Sequence, residues 1–413
     1  MYRWGLLCSA MMTMSLAAGT AAAQGLHGGG MPSQEIEVLS RDGNPTIPFE
    51  LVNNHVIIPI SVSGSKFQVI LDTGMPMSGL MLYGTEVVEN LQLEYGSMKA
   101  RIGGAGGDGK FIEASVAQGV TVDVENVRMK NSTVIVAPPI SHFTFYHDGV
   151  IGASLFNNFV VEIKYDEQRI TLHDPDTYTP PDSATALPLT FKHNIPFAEV
   201  TVTMEDGHKV PLTVAVDLGA SHAISLNVDS TDAIAVPENT IHAVIGRGVG
   251  GVVRGEVGRI RRLDLGDIAL TDVVATFPVA DHQHPGGMDS RNGNLGDGVL
   301  KRFNVTFSYA LERMFLTPNR EFEAPFEWDM SGMRLEPLDD TALRIDSILG
   351  GSPAEKAGLA EDDVVTHVNG RAVSVQNMIE IRKLMKRDGA VLEIRATRAG
   401  KPIEVKLELR RLI

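Results

Sequence analysis

Short apolar runs rich in β-branched residues, broken by Gly, Asn and Asp, set the pattern of this chain. Val56-Ile57-Ile58-Pro59-Ile60, Phe67-Gln68-Val69-Ile70-Leu71, Val120-Thr121-Val122 and Thr133-Val134-Ile135-Val136 are strand-length and bounded by turn formers, as partly buried β-strands require. They fall in a first block running from about Glu35 to Asp174. Residues 175–184 (PDTYTPPDSA) have the composition of a linker. A second β-rich block covers about Leu187 to Thr317, and another Pro-containing connection, residues 318–325, follows it. The last segment, from about Glu327 to Ile413, mixes strands with two helical stretches. The expected units are therefore 35–178, 185–320 and 328–413.

The first residues follow another pattern. Arg3 precedes a mostly apolar run from Trp4 to Ala18, and Ala21-Ala22-Ala23 supplies small residues before Gln24. This reads as a cleavable export signal over residues 1–23. A Gly-rich segment, 24–34, reads as a flexible lead-in. No later stretch reaches the uninterrupted apolar length of a spanning helix. The expectation is a secreted or periplasmic protein with no membrane span.

Composition sharpens the picture. Hydrophobic residues make up 43% and charged residues 21%, enough to build a core. Aromatics are sparse at 6%, while 41 Gly and 21 Pro favour turn-rich β structure over helical bundles. The 36 basic against 51 acidic residues give a net charge of −15, which disfavours nucleic acid and anionic lipid as partners. Cys8 is the only cysteine, which excludes a disulfide framework, a multi-Cys zinc site and a Cys-ligated cluster. No metal and no cofactor are expected.

The two β-rich blocks align with each other. Placing Ile151-Gly152 on Leu295-Gly296, an offset of 144, brings Phe159 onto Phe303, Val161 onto Val305, Tyr165 onto Tyr309, Arg169 onto Arg313 and Leu172 onto Leu316. Gly106-Gly107 meets Gly250-Gly251 at the same offset, and Asp72-Thr73-Gly74 meets Asp217-Leu218-Gly219 at 145. A duplicated domain explains so many matches at nearly one spacing.

Each copy carries an apolar strand that runs into Asp-x-Gly: Val69-Ile70-Leu71-Asp72-Thr73-Gly74 and Val214-Ala215-Val216-Asp217-Leu218-Gly219-Ala220-Ser221. A carboxylate at the end of a buried strand is desolvated, and the following Gly lets the backbone turn its N–H groups toward it. A two-fold arrangement of the copies brings the carboxyl groups together, where they share one proton. One then serves as general base on a water and the other as general acid.

In these residues, and in Val150-Ile151-Gly152 and Asn294-Leu295-Gly296, the chain resembles the bilobal, retropepsin-like aspartic proteases over roughly residues 50–317. The resemblance implies a mainly β fold of two barrel lobes, with Asp72 and Asp217 catalytic and no metal. It implies supporting roles for Thr73, Gly74, Gly219, Ala220, Ser221, Gly152 and Gly296. It also implies a Gly-rich hairpin over the substrate, for which Gly103, Gly104, Gly106 and Gly107 are candidates. Leu218 stands where the family carries a hydroxyl, and Met75 where it carries a small residue. Both Asp-x-Gly sites lie in one chain, so a monomeric active unit is expected.

The C-terminal segment carries its own punctuation. Ser352 suits a helix N-cap, Pro353 the first turn and Gly358 the left-handed position after the helix. A strand over 363–368, a turn at Asn369-Gly370-Arg371, a helix from about Val375 to Arg387 and strands at 391–397 and 403–409 follow. With Ile348-Leu349-Gly350-Gly351-Ser352-Pro353-Ala354 and Val368-Asn369-Gly370, this segment resembles a PDZ domain over about 328–413. Such modules bind C-terminal or extended peptides by strand addition. By position, the peptide site falls at Ser331 with Gly332, Met333, Arg334 and Leu335.

Other signals carry less. His282 and His284 lack a third ligand, Arg259, Arg261 and Arg262 read as a solvated edge, and residues 246–251 lack the Lys-Ser/Thr of a phosphate loop. His142 and His147 have no accompanying Ser nucleophile signature. The expected function is an exported aspartic endopeptidase whose PDZ module engages substrate or partner peptides. The alternative is a catalytically degenerate peptide-binding protein that uses the same cleft and groove.

Overall fold

The computed structural model describes residues 13–17, 34–40, 43–103, 111–139, 147–248, 251–279, 292–374 and 377–413. The chain divides into two compact units, Met1–Ala324 and Pro325–Ile413. The fold is mainly β, as the alternating runs predict.

Within the first unit, strands His55–Val62, Ser65–Leu71, Gly149–Ile151, Leu80–Tyr83, Val127–Ala137 and Ile112–Val124 follow one another side by side. Pairing of Ser61 with Asp123 and of Val62 with Val122 closes the ring. The second copy repeats this circuit. Ile195–Thr203, Lys209–Asp217, Gly293–Gly296, Ile224–Leu226, Ile268–Pro278 and Gly251–Leu265 follow in the same order, closed by Thr201 on Asp264 and Val202 on Leu263. Two barrels of one topology thus arise from the duplicated sequence. Closure leaves few open sheet edges.

The barrels are joined by a shared antiparallel sheet. Val160–Lys164 of the first copy pairs with Phe303–Ser308 of the second, Val161 opposite Phe307 and Ile163 opposite Val305. These residues are buried, and Phe156 packs edge-on against Phe307 at 5.5 Å. The positions that matched at offset 144 in the sequence therefore meet around one junction. Residues 13–17, inside the expected export signal, lie antiparallel to Tyr95–Gly103, a pairing open only to a chain that keeps that segment.

The second unit is a sheet of strands Met333–Asp339, Ala342–Ile348, Val364–Val368, Val391–Arg398 and Lys401–Glu408, with Arg371–Ala372 beside Val364–Val368. Its core holds Met333, Leu335, Leu343, Ile345, Val365, Ile381, Met385 and Leu392. Asn369 (φ 51°) and Gly370 (φ 74°) form the tight turn that the Asn-Gly pair predicts. The short helix Pro353–Lys356 is capped by Ser352, whose hydroxyl accepts from Glu355 N–H, and Gly358 takes φ 84°. The second helix is shorter than the sequence suggests, covering Met378–Leu384. Its last turn tightens, with Lys386 N–H bonding Lys383 O and Arg387 N–H bonding Leu384 O, a three-residue spacing that ends the α-helix.

Candidate active site

Asp72 follows strand Ser65–Leu71 and Asp217 ends strand Lys209–Asp217. Each strand runs parallel to the short strand that carries the apolar-apolar-Gly element. Leu71 is registered on Ile151, and Asp217 on Gly296. Asp72 N–H donates to Ile151 O at 2.9 Å, fixing where the first loop leaves the barrel.

The glycines are required by crowding. A Cβ on Gly152 would lie 2.2 Å from Asp72 O, and one on Gly296 2.4 Å from His222 O. At Gly219 it would sit 2.5 Å from the Asp72 carboxyl carbon, and at Gly74 2.9 Å from an oxygen of each aspartate. No side chain fits where the two loops converge.

The two carboxyl groups face each other. Gly74 N–H donates to Asp72 Oδ1 at 2.6 Å and Gly219 N–H to Asp217 Oδ1 at 2.8 Å. Asp72 is 4% exposed and Asp217 fully buried. Burial, the charge of Asp217 and a hydrogen bond to its carboxyl hold Asp72 well above the usual carboxylate range, against the pull of the Gly74 and Gly219 N–H groups. The pair therefore keeps a proton at pH values where an isolated aspartate has lost it.

The support around the pair is asymmetric. Thr73 Oγ1 donates to Val216 O at 2.7 Å and accepts from Leu218 N–H at 3.0 Å. Leu218 has no hydroxyl to return this bond and is fully buried instead. Met75 is likewise buried, its N–H on Asp72 O and its carbonyl accepting from Ala153. Ala220 closes the second loop, its N–H on Asp217 O and its carbonyl accepting from Asp297 N–H at 2.8 Å. Ser221 takes part through its carbonyl, which accepts from Asn54 Nδ2 at 2.7 Å.

Several residues around the pair were not singled out as site residues from the sequence. Asn294 Nδ2 donates to Asp217 Oδ2 at 2.8 Å, whereas its counterpart Val150 is apolar. His55 Nε2 donates to Gly219 O at 3.0 Å. Burial pushes the His55 imidazole down to about 4, outweighing the attraction of Asp217. His147, its ring tilted against Tyr83 at 5.3 Å, is pushed to about 3 by burial and by His55. Asp297, directly after Gly296, is fully buried and accepts from Tyr165 OH at 2.8 Å. Burial holds Asp297 well above the ordinary range, against the Tyr165 hydrogen bond, while the charges of Asp217 and Asp72 push it further up. Its Oδ2 has no hydrogen-bond partner among the described residues, which suits a neutral carboxyl. The one available sequence signal was an acid directly after the supporting glycine.

Of the hairpin candidates, Gly103 ends strand Tyr95–Gly103, and Ile102 pairs with Ile112 across the hairpin. Gly104, Gly106 and Gly107 lie outside the described residues, as do His282 and His284. Arg259, Arg261 and Arg262 are engaged by Asp272, Glu205 O and Asp264 at the surface. Among the described residues no cluster of His, Cys, Asp or Glu is arranged to hold a metal. Nor, among the described residues, is any helix long and apolar enough to cross a membrane.

In the second unit, Gly332 takes φ 71°, and a Cβ there would lie 2.3 Å from that of Ser352. Met333 and Leu335 are buried on the edge strand of the sheet. Arg334 points instead to Glu336 and Asp346.

Comparison with known proteins agrees with this division. Residues 58–155 match the aspartyl protease family, and residues 344–398 match the PDZ domain family. A stretch of 114 residues is 29% identical to a probable CtpA-like serine protease of Staphylococcus haemolyticus (strain JCSC1435), covering 27% of this chain and 22% of that protein. The chain thus spans about a fifth of the length of that relative. The first barrel is thus similar to the aspartyl proteases over residues 58–155, and the second unit is similar to PDZ domains over residues 344–398.

Proposed function

We propose that the protein is an exported aspartic endopeptidase, active as a monomer, whose PDZ domain holds substrate or partner peptides. The observation that carries this reading is the convergence of the buried Asp72 and Asp217 carboxyl groups where the two Asp-x-Gly loops meet.

In the reaction, a water between the carboxyl groups gives a proton to Asp217, which is held by Gly219 N–H and the Asn294 amide, and its oxygen attacks the scissile carbonyl carbon. Asp72 gives its proton to the carbonyl oxygen, forming a neutral gem-diol. Collapse of the diol returns a hydroxyl proton to Asp72 as the C–N bond breaks, and Asp217 passes the first proton to the departing amine. Both carboxyl groups end as they began, with no covalent intermediate. The relative's name describes a serine protease; the chemistry proposed here rests on this chain's own carboxyl groups.

The test is hydrolysis of unfolded casein across pH 3–8, with and without pepstatin. Cleavage that is lost in Asp72→Asn and in Asp217→Asn supports the reading. Folded, pure protein that cleaves nothing at any pH rejects it. Export is tested separately by fractionating a C-terminally tagged chain, with N-terminal sequencing to show whether residues 1–23 have been removed.

A further inference from the structure

The PDZ unit offers an edge strand for peptide addition, but the backbone donors at its carboxylate end are already occupied. In this recognition mode an extended peptide lies along a free sheet edge, and a terminal carboxylate is captured by successive backbone N–H groups in the loop before the strand. Among the described residues strand Met333–Asp339 is such an edge, paired on one side only, with Ala342–Ile348. The loop before it is residues 329–333.

The N–H groups of residues 330–333 all have internal partners. Ser331 N–H and Gly332 N–H both donate to Asp329 Oδ1, at 2.9 and 3.2 Å. The Ser331 hydroxyl donates to the same oxygen. Met333 N–H donates to Ser331 Oγ at 3.1 Å, and Met330 N–H is taken by Met385 O at 2.8 Å. A side-chain carboxyl thus sits in the position a ligand's carboxylate would need. A second carboxylate arriving there would have to displace it and would meet its charge.

The strand beyond remains addressable. Ile345, opposite Leu335, directs its own N–H and C=O to Asp363 and Asp362 on the far side. Leu335 therefore turns its backbone outward, where Arg382 of helix Met378–Leu384 donates to its carbonyl at 3.3 Å. That is a long bond from a side chain, and an incoming strand can replace it. Pro337, two residues on, has no N–H to offer, so strand addition centres on Leu335.

We infer that this PDZ domain docks internal extended segments of unfolded polypeptide and not free C-termini, because Asp329 fills the carboxylate nest. The inference rests on reading residues 325–413 as a peptide-docking module and is independent of the chemistry at Asp72 and Asp217. An endopeptidase served by such a module would capture chains at interior sites.

The test uses the full-length Asp217→Asn protein, so that no peptide is consumed. Labelled peptides of about 14 residues carry one apolar β-forming stretch, either centrally or at the C-terminal end, each as free acid and as amide. Fluorescence anisotropy gives Kd, and the Leu335 amide resonance reports whether binding is at this edge. The expected result is a Leu335 shift on adding the central peptide, with acid and amide forms within about twofold. Asp329→Ala, which frees the Ser331 and Gly332 N–H groups, is expected to make the terminal acid bind at least about fivefold better than its amide. A wild-type preference for the acid of about tenfold or more overturns the inference. So does central-peptide binding that leaves the Leu335 amide unmoved, or an absence of any central-peptide binding. Loss of casein cleavage in the wild type would bear on the proposed chemistry and leave these outcomes unchanged.

Discussion

His55 in the first barrel donates its Nε2 hydrogen to the carbonyl oxygen of Gly219 in the second, 164 residues away and 3.0 Å distant. Gly219 in turn donates its N–H to Asp217. Beside this contact Asn54 binds Ser221 O, and Lys301 Nζ binds Asn54 Oδ1 at 2.9 Å. The start of strand His55–Val62 thus grips the second Asp-x-Gly loop, on the side where Leu218 supplies no hydroxyl. His55→Leu is expected to leave a buried carbonyl without its donor and cost about 1–3 kcal/mol. It should also lower kcat/KM by about ten- to a hundredfold through misplacement of Asp217. His55→Gln keeps an N–H at similar reach and should recover most of the loss. Equal damage from both variants, measured by steady-state kinetics and urea unfolding, would reduce the imidazole to a packing role.

Thr73 braces the pair alone, giving a hydrogen to Val216 O and taking one from Leu218 N–H. Thr73→Val has nearly the same shape, removes both bonds and is expected to destabilise by about 1–3 kcal/mol. The reciprocal change, Leu218→Thr, restores the family's residue type, yet Leu218 is fully buried. Loss of buried methyl groups and burial of a new hydroxyl are each expected to destabilise, together by about 1–3 kcal/mol. A rise in the urea midpoint of Leu218→Thr would show that the empty half of the brace is still available to a hydroxyl.

What could be read in the sequence was whatever the backbone dictates. Asp72-Thr73-Gly74 and Ile151-Gly152 stood out because only glycine fits where a Cβ on residue 152 would lie 2.2 Å from Asp72 O. The duplicated barrels were visible because closure demands the same strand order twice. His55 and Asn54 were not, since their partners are carbonyl oxygens of Gly219 and Ser221, and any residue type has a carbonyl. Asn294 was seen only as part of an apolar-apolar-Gly element; that its amide turns toward Asp217 depends on the barrel's register. The second PDZ helix was overextended because its apolar spacing continues to Met385, which is buried just as the helix ends.

Acid should weaken the fold through His55. Its imidazole titrates near 4 in the folded chain against an ordinary 6.5. Between these values the unfolded chain binds the proton and the folded chain does not. Stability from this group is therefore full above about pH 6.5 and declines as pH falls toward 4, by about 3 kcal/mol at most. Asp72 and Asp297 act in the opposite sense, because their raised values favour the folded state while they hold protons and withdraw that support as pH rises. The histidine contribution is isolated by difference: His55→Gln should lose less stability than wild type between pH 6.5 and 4. Parallel melting curves for the two proteins across that range would contradict the assignment.

Asp297 gives the site a third carboxyl, coupled to both members of the pair and steadied by Tyr165 at 2.8 Å. While protonated it adds no charge. Once ionised, it makes any further negative charge on the pair harder to form and so helps the pair keep its shared proton. Asp297→Asn retains an acceptor for the Tyr165 hydroxyl but can never ionise. The alkaline limb of kcat/KM should then move to lower pH by up to about one unit, with the acid limb nearly unchanged. Tyr165→Phe weakens the same influence: it removes the donor that favours ionised Asp297, so the third carboxyl stays neutral to higher pH and its effect begins later. In that variant the alkaline limb should also shift down, by less than in Asp297→Asn. The comparison separates electrostatics from packing, since a purely structural role for either residue would lower the rate at every pH and leave both limbs where they stand.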